Sequence, residues 1–172
     1  DLRLGVVSFQ YFEDLFSPTI TAKMVVISTS GVVSDDKTKK IESLYNGLPI
    51  RGGERVSIRI KGNSNINKGL QFDTPDKYLY VSKISNVIRD GQKEIFVLHL
   101  VSREAITNEV THVNRKFEPY SLIDTHVKNI LQNDLKVKPN RYLGKIDRAS
   151  NKYGFLGNLK SPFQILVWLA SK

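Results

Sequence analysis

The three histidines are the first place to look for chemistry in this chain, because it contains no cysteine. Without thiols there is no thiolate nucleophile, no thiolate metal site and no disulfide framework. A zinc site needs its ligands to converge on one point, usually from closely spaced positions. His99 falls in a strand pattern, His112 in an extended stretch and His126 in a helical one, with no i, i+4 pair and no acidic ligand set beside them. The expectation is no metal site, and His99 is read as a hydrogen-bonded or partner-facing strand residue. Two acidic pairs, Glu13-Asp14 and Asp35-Asp36, offer carboxylates for acid/base work. Neighbours on a strand point to opposite faces, so neither pair has the geometry for cooperation, and both read as solvated turns. Gly52-Gly53-Glu54 resembles the start of a phosphate loop, but no helix pattern follows and the glycine-lysine fingerprint is missing. The sequence therefore predicts no catalytic residue, no cofactor and no small-molecule substrate.

Two further sets are suited to binding. Arg55, Arg59 and Lys61 share one side of an alternating stretch, opposite Val56, Ile58 and Ile60, which predicts a strand with one dry face and one basic face. Such a face suits a phosphate backbone, or simply carboxylates in its own surroundings. Tyr78, Tyr80 and Phe96 are placed at strand spacing where rings either stack on bases or pack into a core.

The elements that position these residues are mostly strands. Ile20, Ala22, Met24 and Val26 alternate with Thr21 and Lys23, and stretches 78–84 and 94–101 form a hairpin around Asp90-Gly91, a pair tolerant of positive φ. In the second hairpin strand Phe96, Leu98 and Leu100 face one way and Ile95, Val97 and Val101 the other, with His99 among them. A strand apolar on both sides predicts cover on both, so Ile95, Val97, His99 and Val101 are candidates for a subunit contact or a lumen wall, together with Arg55, Arg59 and Lys61. Asn46-Gly47-Leu48-Pro49 and Gly52-Gly53 frame a turn, 62–69 is a polar loop, and 34–40 is a charged excursion. After residue 101 the period changes. Ser102 caps a short helical turn, 110–117 is extended, and Ile123, Val127, Ile130 and Leu131 mark a helix over 121–136 with Asp124 and Lys128 paired outside. Ser161-Pro162-Phe163-Gln164 is a capping box opening a last helix over 161–172.

The fold class predicted is α+β, mainly β: an antiparallel barrel over 1–116 followed by a small helical region over 117–172. At 172 residues with 40% hydrophobic and 25% charged side chains, the chain has the composition of a packed globular protein. Its apolar runs, such as 24–27 and 95–98, fall far short of the roughly 20 residues that span a bilayer, so no membrane partner is expected. The net charge of +9 is spread out, with an excess of +4 in 1–116 and +5 in 117–172. Diffuse charge of this kind argues weakly for a dedicated nucleic-acid site. The chain starts at Asp1 and its last apolar helix lacks a terminator, which suggests a piece of something longer.

Five segments in order, rather than any short motif, resemble the baseplate hub proteins of contractile-tailed bacteriophages. They are FEDLFSPTITAKMVVISTS (12–30), LPIRGGERVSIRI (48–60), VLHLVSREAITN (97–108), YSLIDTHVKNIL (120–131) and KSPFQILVWLA (160–170). The resemblance implies a tail-tube-like barrel followed by part of a helical insertion. It also implies a homotrimer that joins the tail tube to the central spike, assembled in the host cytoplasm and resident in the virion baseplate. Passing DNA would be touched transiently and without sequence preference. No catalytic residue carries over. An oligonucleotide-binding barrel is the alternative, favoured by charge and aromatic residues but short of their interleaving on one strand face. An enzyme or carbohydrate-binding β domain would require a convergent carboxylate or histidine cluster that the spacing does not supply.

Overall fold

A computed structural model describes residues 2–29, 33–34, 41–42, 50–64, 66–67, 69–91, 93–139 and 146–172. The turn expected at 46–49 and most of the charged excursion at 34–40 lie outside these residues. The chain divides into two compact units, Asp1–Arg103 and Glu104–Lys172.

The first unit is built on strands. A short 3-10 turn at Arg3–Gly5 leads into β1 (Val6–Phe12), followed by β2 (Thr21–Thr29) and the two-residue strands β3 (Val33–Ser34) and β4 (Ile41–Glu42). Then come β5 (Arg55–Val56), β6 (Ile58–Ile60), β7 (Leu70–Phe72), β8 (Leu79–Asp90) and β9 (Lys93–Ser102). The main sheet has the order β1-β2-β9-β8-β5, and β3–β4 and β6–β7 form separate two-stranded pairs. All its neighbours run antiparallel. Alternation decides what is buried. Ala22, Met24 and Val26 of β2, Phe96, Leu98 and Leu100 of β9, and Leu79 and Val81 of β8 form one core, with Val56, Ile58 and Phe72 packed against it. The β8–β9 hairpin turns at Asp90-Gly91, where Gly91 has φ 56°.

Strand β8 is longer than its alternation implies, because irregularities between Val81/Lys83 and Ser85/Ile88 break the period-two signal. Asn86 at the second adopts φ 52°, a region its short polar side chain tolerates. Bulges of this kind increase local twist, which accounts for the curling of the sheet into a half-barrel.

The stretch expected as one strand over 55–61 is instead two. Ser57 lies between β5, which pairs with β8, and β6, which pairs with β7, so the basic residues along it divide between two sheets.

The second unit contains α1 (Arg103–Val110, whose first residue closes the first unit), β10 (Lys116–Phe117), α2 (Ile123–Asn129) running into a π-helical turn at Ile130–Asp134, β11 (Phe155–Leu156) and α3 (Pro162–Ala170). Its core is Val113, Phe117, Ile123, Ile130, Ile165 and Leu169. Phe117 and Phe155 stack at 4.2 Å between centroids, and His126 stands edge-on to both rings. The capping box at α3 is formed, with Ser161 N–H donating to Gln164 Oε1 at 3.2 Å. Gly157 leaves room for the Val113 carbonyl, which a Cβ there would strike.

Candidate functional site

The buried ionisable groups are structural pairs. Arg115 grips Asp134 with two hydrogen bonds of 2.7 and 2.6 Å and also donates to Asn129 Oδ1. Asp124 accepts from Lys128 Nζ at 2.9 Å, which holds its carboxyl below the usual range. Glu94 accepts from Arg89 Nε at 2.9 Å. His126 is buried, with Nε2 sharing a hydrogen bond with the Tyr153 carbonyl, whereas His112 is exposed. Among the described residues no group of three or more histidines or carboxylates is arranged to hold a metal ion. At Gly52-Gly53-Glu54 the Arg51 and Gly52 amides already donate to the Glu54 carboxylate at 2.7 and 2.9 Å. The turn fills its own anion site. Glu13 accepts from Tyr11 and Asp14 from the Phe16 amide, and Asp35-Asp36 lies outside the described residues.

What remains is the open face of the main sheet, the side of β9 opposite the core. Directly opposed residues in an antiparallel ladder point the same way, so the register defines rows. One row is Ile27, Ile95 and Ile88, and the next is Ser8, Val25, Val97 and Ser85. The third is Gln10, Lys23, His99 and Lys83, and the fourth is Phe12, Thr21, Val101, Tyr80 and Arg55. Phe96 and Leu98, facing the core, are 0% and 1% exposed, while Ile95, Val97, His99 and Val101 stay half-buried and Ile88 reaches 57% exposure. An apolar row and a Val25–Val97 pair flanked by Ser8 and Ser85 thus border a basic row and an aromatic one.

His99 sits at the centre of the basic row. Its Nε2 shares a 2.7 Å hydrogen bond with Ser85 Oγ. Burial, then the charges of Lys23 and Lys83, push its pKa below the usual histidine value. Lys23 Nζ lies 5.7 Å from the Phe12 ring.

Of the residues singled out from sequence, the structure brings Ile95, Val97, His99, Val101 and Arg55 onto this one face. Arg59 and Lys61 are placed elsewhere: Arg59 pairs with Asp73 at 2.7 Å beside β7, and Lys61 is exposed beyond β6. Phe12, Lys23, Tyr80 and Lys83 share the face although alternation within any single strand does not reveal it. Only the pairing of β1, β2, β8 and β5 around β9 does.

No protein-family model matches the chain, and no curated protein matches it. Among solved structures, the E. coli c3393 protein is similar over 97% of this chain, with a TM-score of 0.60 at 9% sequence identity. It is described as a component of the type VI secretion system with structural similarity to the T4 bacteriophage tail proteins gp27 and gp5. The chain shares the fold of part of that protein. It spans 39% of that protein's length. The architecture of a mainly β half-barrel with a few helices is the one the tail-hub resemblance implies.

Proposed function

We propose that the chain is a structural part of the baseplate hub of a contractile, phage-tail-like machine, and that copies meet over the open face of the main sheet. The observation that carries this reading is the apolar patch of Ile27, Ile95, Ile88, Val25 and Val97 on the back of a sheet whose other side is already packed. An apolar patch around a central strand gains from leaving water, by about 25 cal/mol per Å² buried. The shared fold with a secretion component likened to tail proteins supports the same reading. In it, the main-sheet unit forms the tube-like part and the second unit part of a helical insertion. The assembly is a homotrimeric ring between tail tube and spike, located in the tail baseplate, with DNA passing through in transient contact. Binding is its work rather than catalysis.

The test is Val97→Lys, which places a charge in the apolar patch. The unmodified protein is expected to form threefold rings by negative-stain microscopy and sedimentation velocity. The variant is expected to sediment as a folded monomer. A variant that still assembles would overturn the reading.

One observation favours a second reading, a single-strand nucleic-acid platform. Phe12 and Tyr80 share the open face with Arg55, Lys23 and Lys83, the interleaving that individual strands lack. Stacking on such rings contributes about 1–3 kcal/mol per base. Binding of an oligonucleotide that weakens steeply with salt, and is lost in Tyr80→Ala, would favour this alternative.

A further inference from the structure

Two adjacent, almost fully exposed large apolar side chains sit at one tip of the main-sheet unit. Between β1 and β2 the chain turns through Glu13, Asp14, Leu15 and Phe16, and Leu15 and Phe16 are 94% and 91% exposed. The turn is a formed one. The Phe16 amide donates to Asp14 Oδ1 at 2.9 Å, and Ser17 N–H donates to the Asp14 carbonyl at 3.1 Å. Two large apolar side chains thus project from a hairpin end, directly after two carboxylates in the chain.

The second unit carries the complement. A groove of about 220 Å³ opens among Tyr153, Phe155, Leu156, Lys160, Ile165 and Trp168. Its walls are aromatic and aliphatic, with Trp168 edge-on to both Tyr153 and Phe155 at 5.5 and 5.2 Å. Leu156 on its lip is 70% exposed. Its rim is basic: Lys160 lines it, and Lys172 Nζ stands 5.6 Å from the Trp168 ring. An apolar cavity of about 150 Å³ already accommodates a benzene ring, so this one has room for a phenyl group.

We infer that the Leu15-Phe16 tip of one copy docks in the Tyr153–Trp168 groove of a second copy, with Glu13 and Asp14 facing Lys160 and Lys172. Knob and groove match in two respects: their rims carry opposite charge, and the cavity has the volume of a ring. Knob and groove are different surfaces, so the contact is heterologous and lets copies follow one another around a ring instead of closing as a two-fold pair. It deepens the assembly reading above, on which it rests only in requiring that copies of the chain meet.

The absence of native cysteine makes disulfide trapping direct. Phe16→Cys and Leu156→Cys are prepared as separate variants of different mass, mixed and oxidised. The expected result is a disulfide heterodimer, well above the yield from Phe16→Cys mixed with Val87→Cys. Asp14→Lys on the first partner is expected to reduce that yield about tenfold, and Lys160→Glu on the second to restore it. No heterodimer above the control would overturn the contact. So would a bond found only within one chain of the Phe16→Cys/Leu156→Cys double variant, which would show the tip reaching its own groove. Sedimentation of the cysteine-free protein separates the two failures. Self-association without trapping removes this contact and leaves the assembly reading standing; a monomer at every concentration removes the assembly reading.

Discussion

Val97 and Leu98 are adjacent on β9 and point to opposite faces of the sheet, so conservative changes at the two positions should fail in different ways. Leu98 is 1% exposed inside the core. Leu98→Ala removes buried methyl groups and leaves a cavity, a change that typically costs about 2–5 kcal/mol. In a unit of about 100 residues that lowers the melting temperature by about 10 °C or more. Val97→Thr keeps the shape and the β-branch and replaces one methyl with a hydroxyl. On the half-exposed face of the free protein that hydroxyl meets water, so the cost to folding should stay below about 1 kcal/mol. Under a neighbouring copy the same hydroxyl loses its water. An unpartnered buried hydroxyl costs about 1–3 kcal/mol, which weakens association roughly fivefold to 150-fold. Urea denaturation measures the first quantity and sedimentation equilibrium the second. The reasoning is refuted if Val97→Thr unfolds the protein as readily as Leu98→Ala, because the chain itself must then cover this face. It is equally refuted if Val97→Thr leaves both stability and association unchanged.

Arg115→Ala leaves the Asp134 carboxylate 9% exposed without its bidentate partner, and stability to urea should fall by about 1–3 kcal/mol after discounting for the partly exposed guanidinium. Ser161→Ala removes the capping box of α3 and should cost about 1 kcal/mol, read in the same denaturation assay. His99 has a lowered pKa in the folded chain, so the unfolded chain binds more protons once the pH falls below the ordinary histidine value of 6.5. Its contribution is therefore complete above that pH and is lost as the pH falls toward the lowered folded value. Urea midpoints should drop between pH 7.5 and 5.5, and His99→Gln should flatten that slope; an equal slope in the variant would count against the assignment. Gly157→Ala should destabilise the second unit, because its Cβ meets the Val113 carbonyl, and a circular-dichroism melt measures the loss.

The strands legible in the sequence are those in which one face is fully buried. Alternation marks β2 and β9 because Met24, Val26, Phe96 and Leu98 leave water together while their neighbours do not. Asp90-Gly91 and the Ser161–Gln164 box were legible for a local reason, since a positive φ and a reciprocal pair of caps depend on few residues. The break at Ser57 was not, because Val56 and Ile58 both face the core and keep the period intact while their strands pair with different partners. The far end of β8 was hidden by its bulges, which place polar Ser85 and Asn86 where an unbroken strand would carry an apolar residue. The candidate face was legible only in part. Ile95, Val97, His99 and Val101 come from one strand, whereas Phe12, Lys23, Tyr80 and Arg55 join them through register, a non-local property. The groove between Tyr153 and Trp168 depends on packing across 14 intervening positions and leaves no periodic signal.

A density map of the assembled protein tests the central claim most directly, because it shows what lies over Val25, Ile95 and Val97. The account predicts a closed threefold ring in which a neighbouring copy covers those three side chains. A particle in which they stay open to water, or are covered by the same polypeptide, would contradict it.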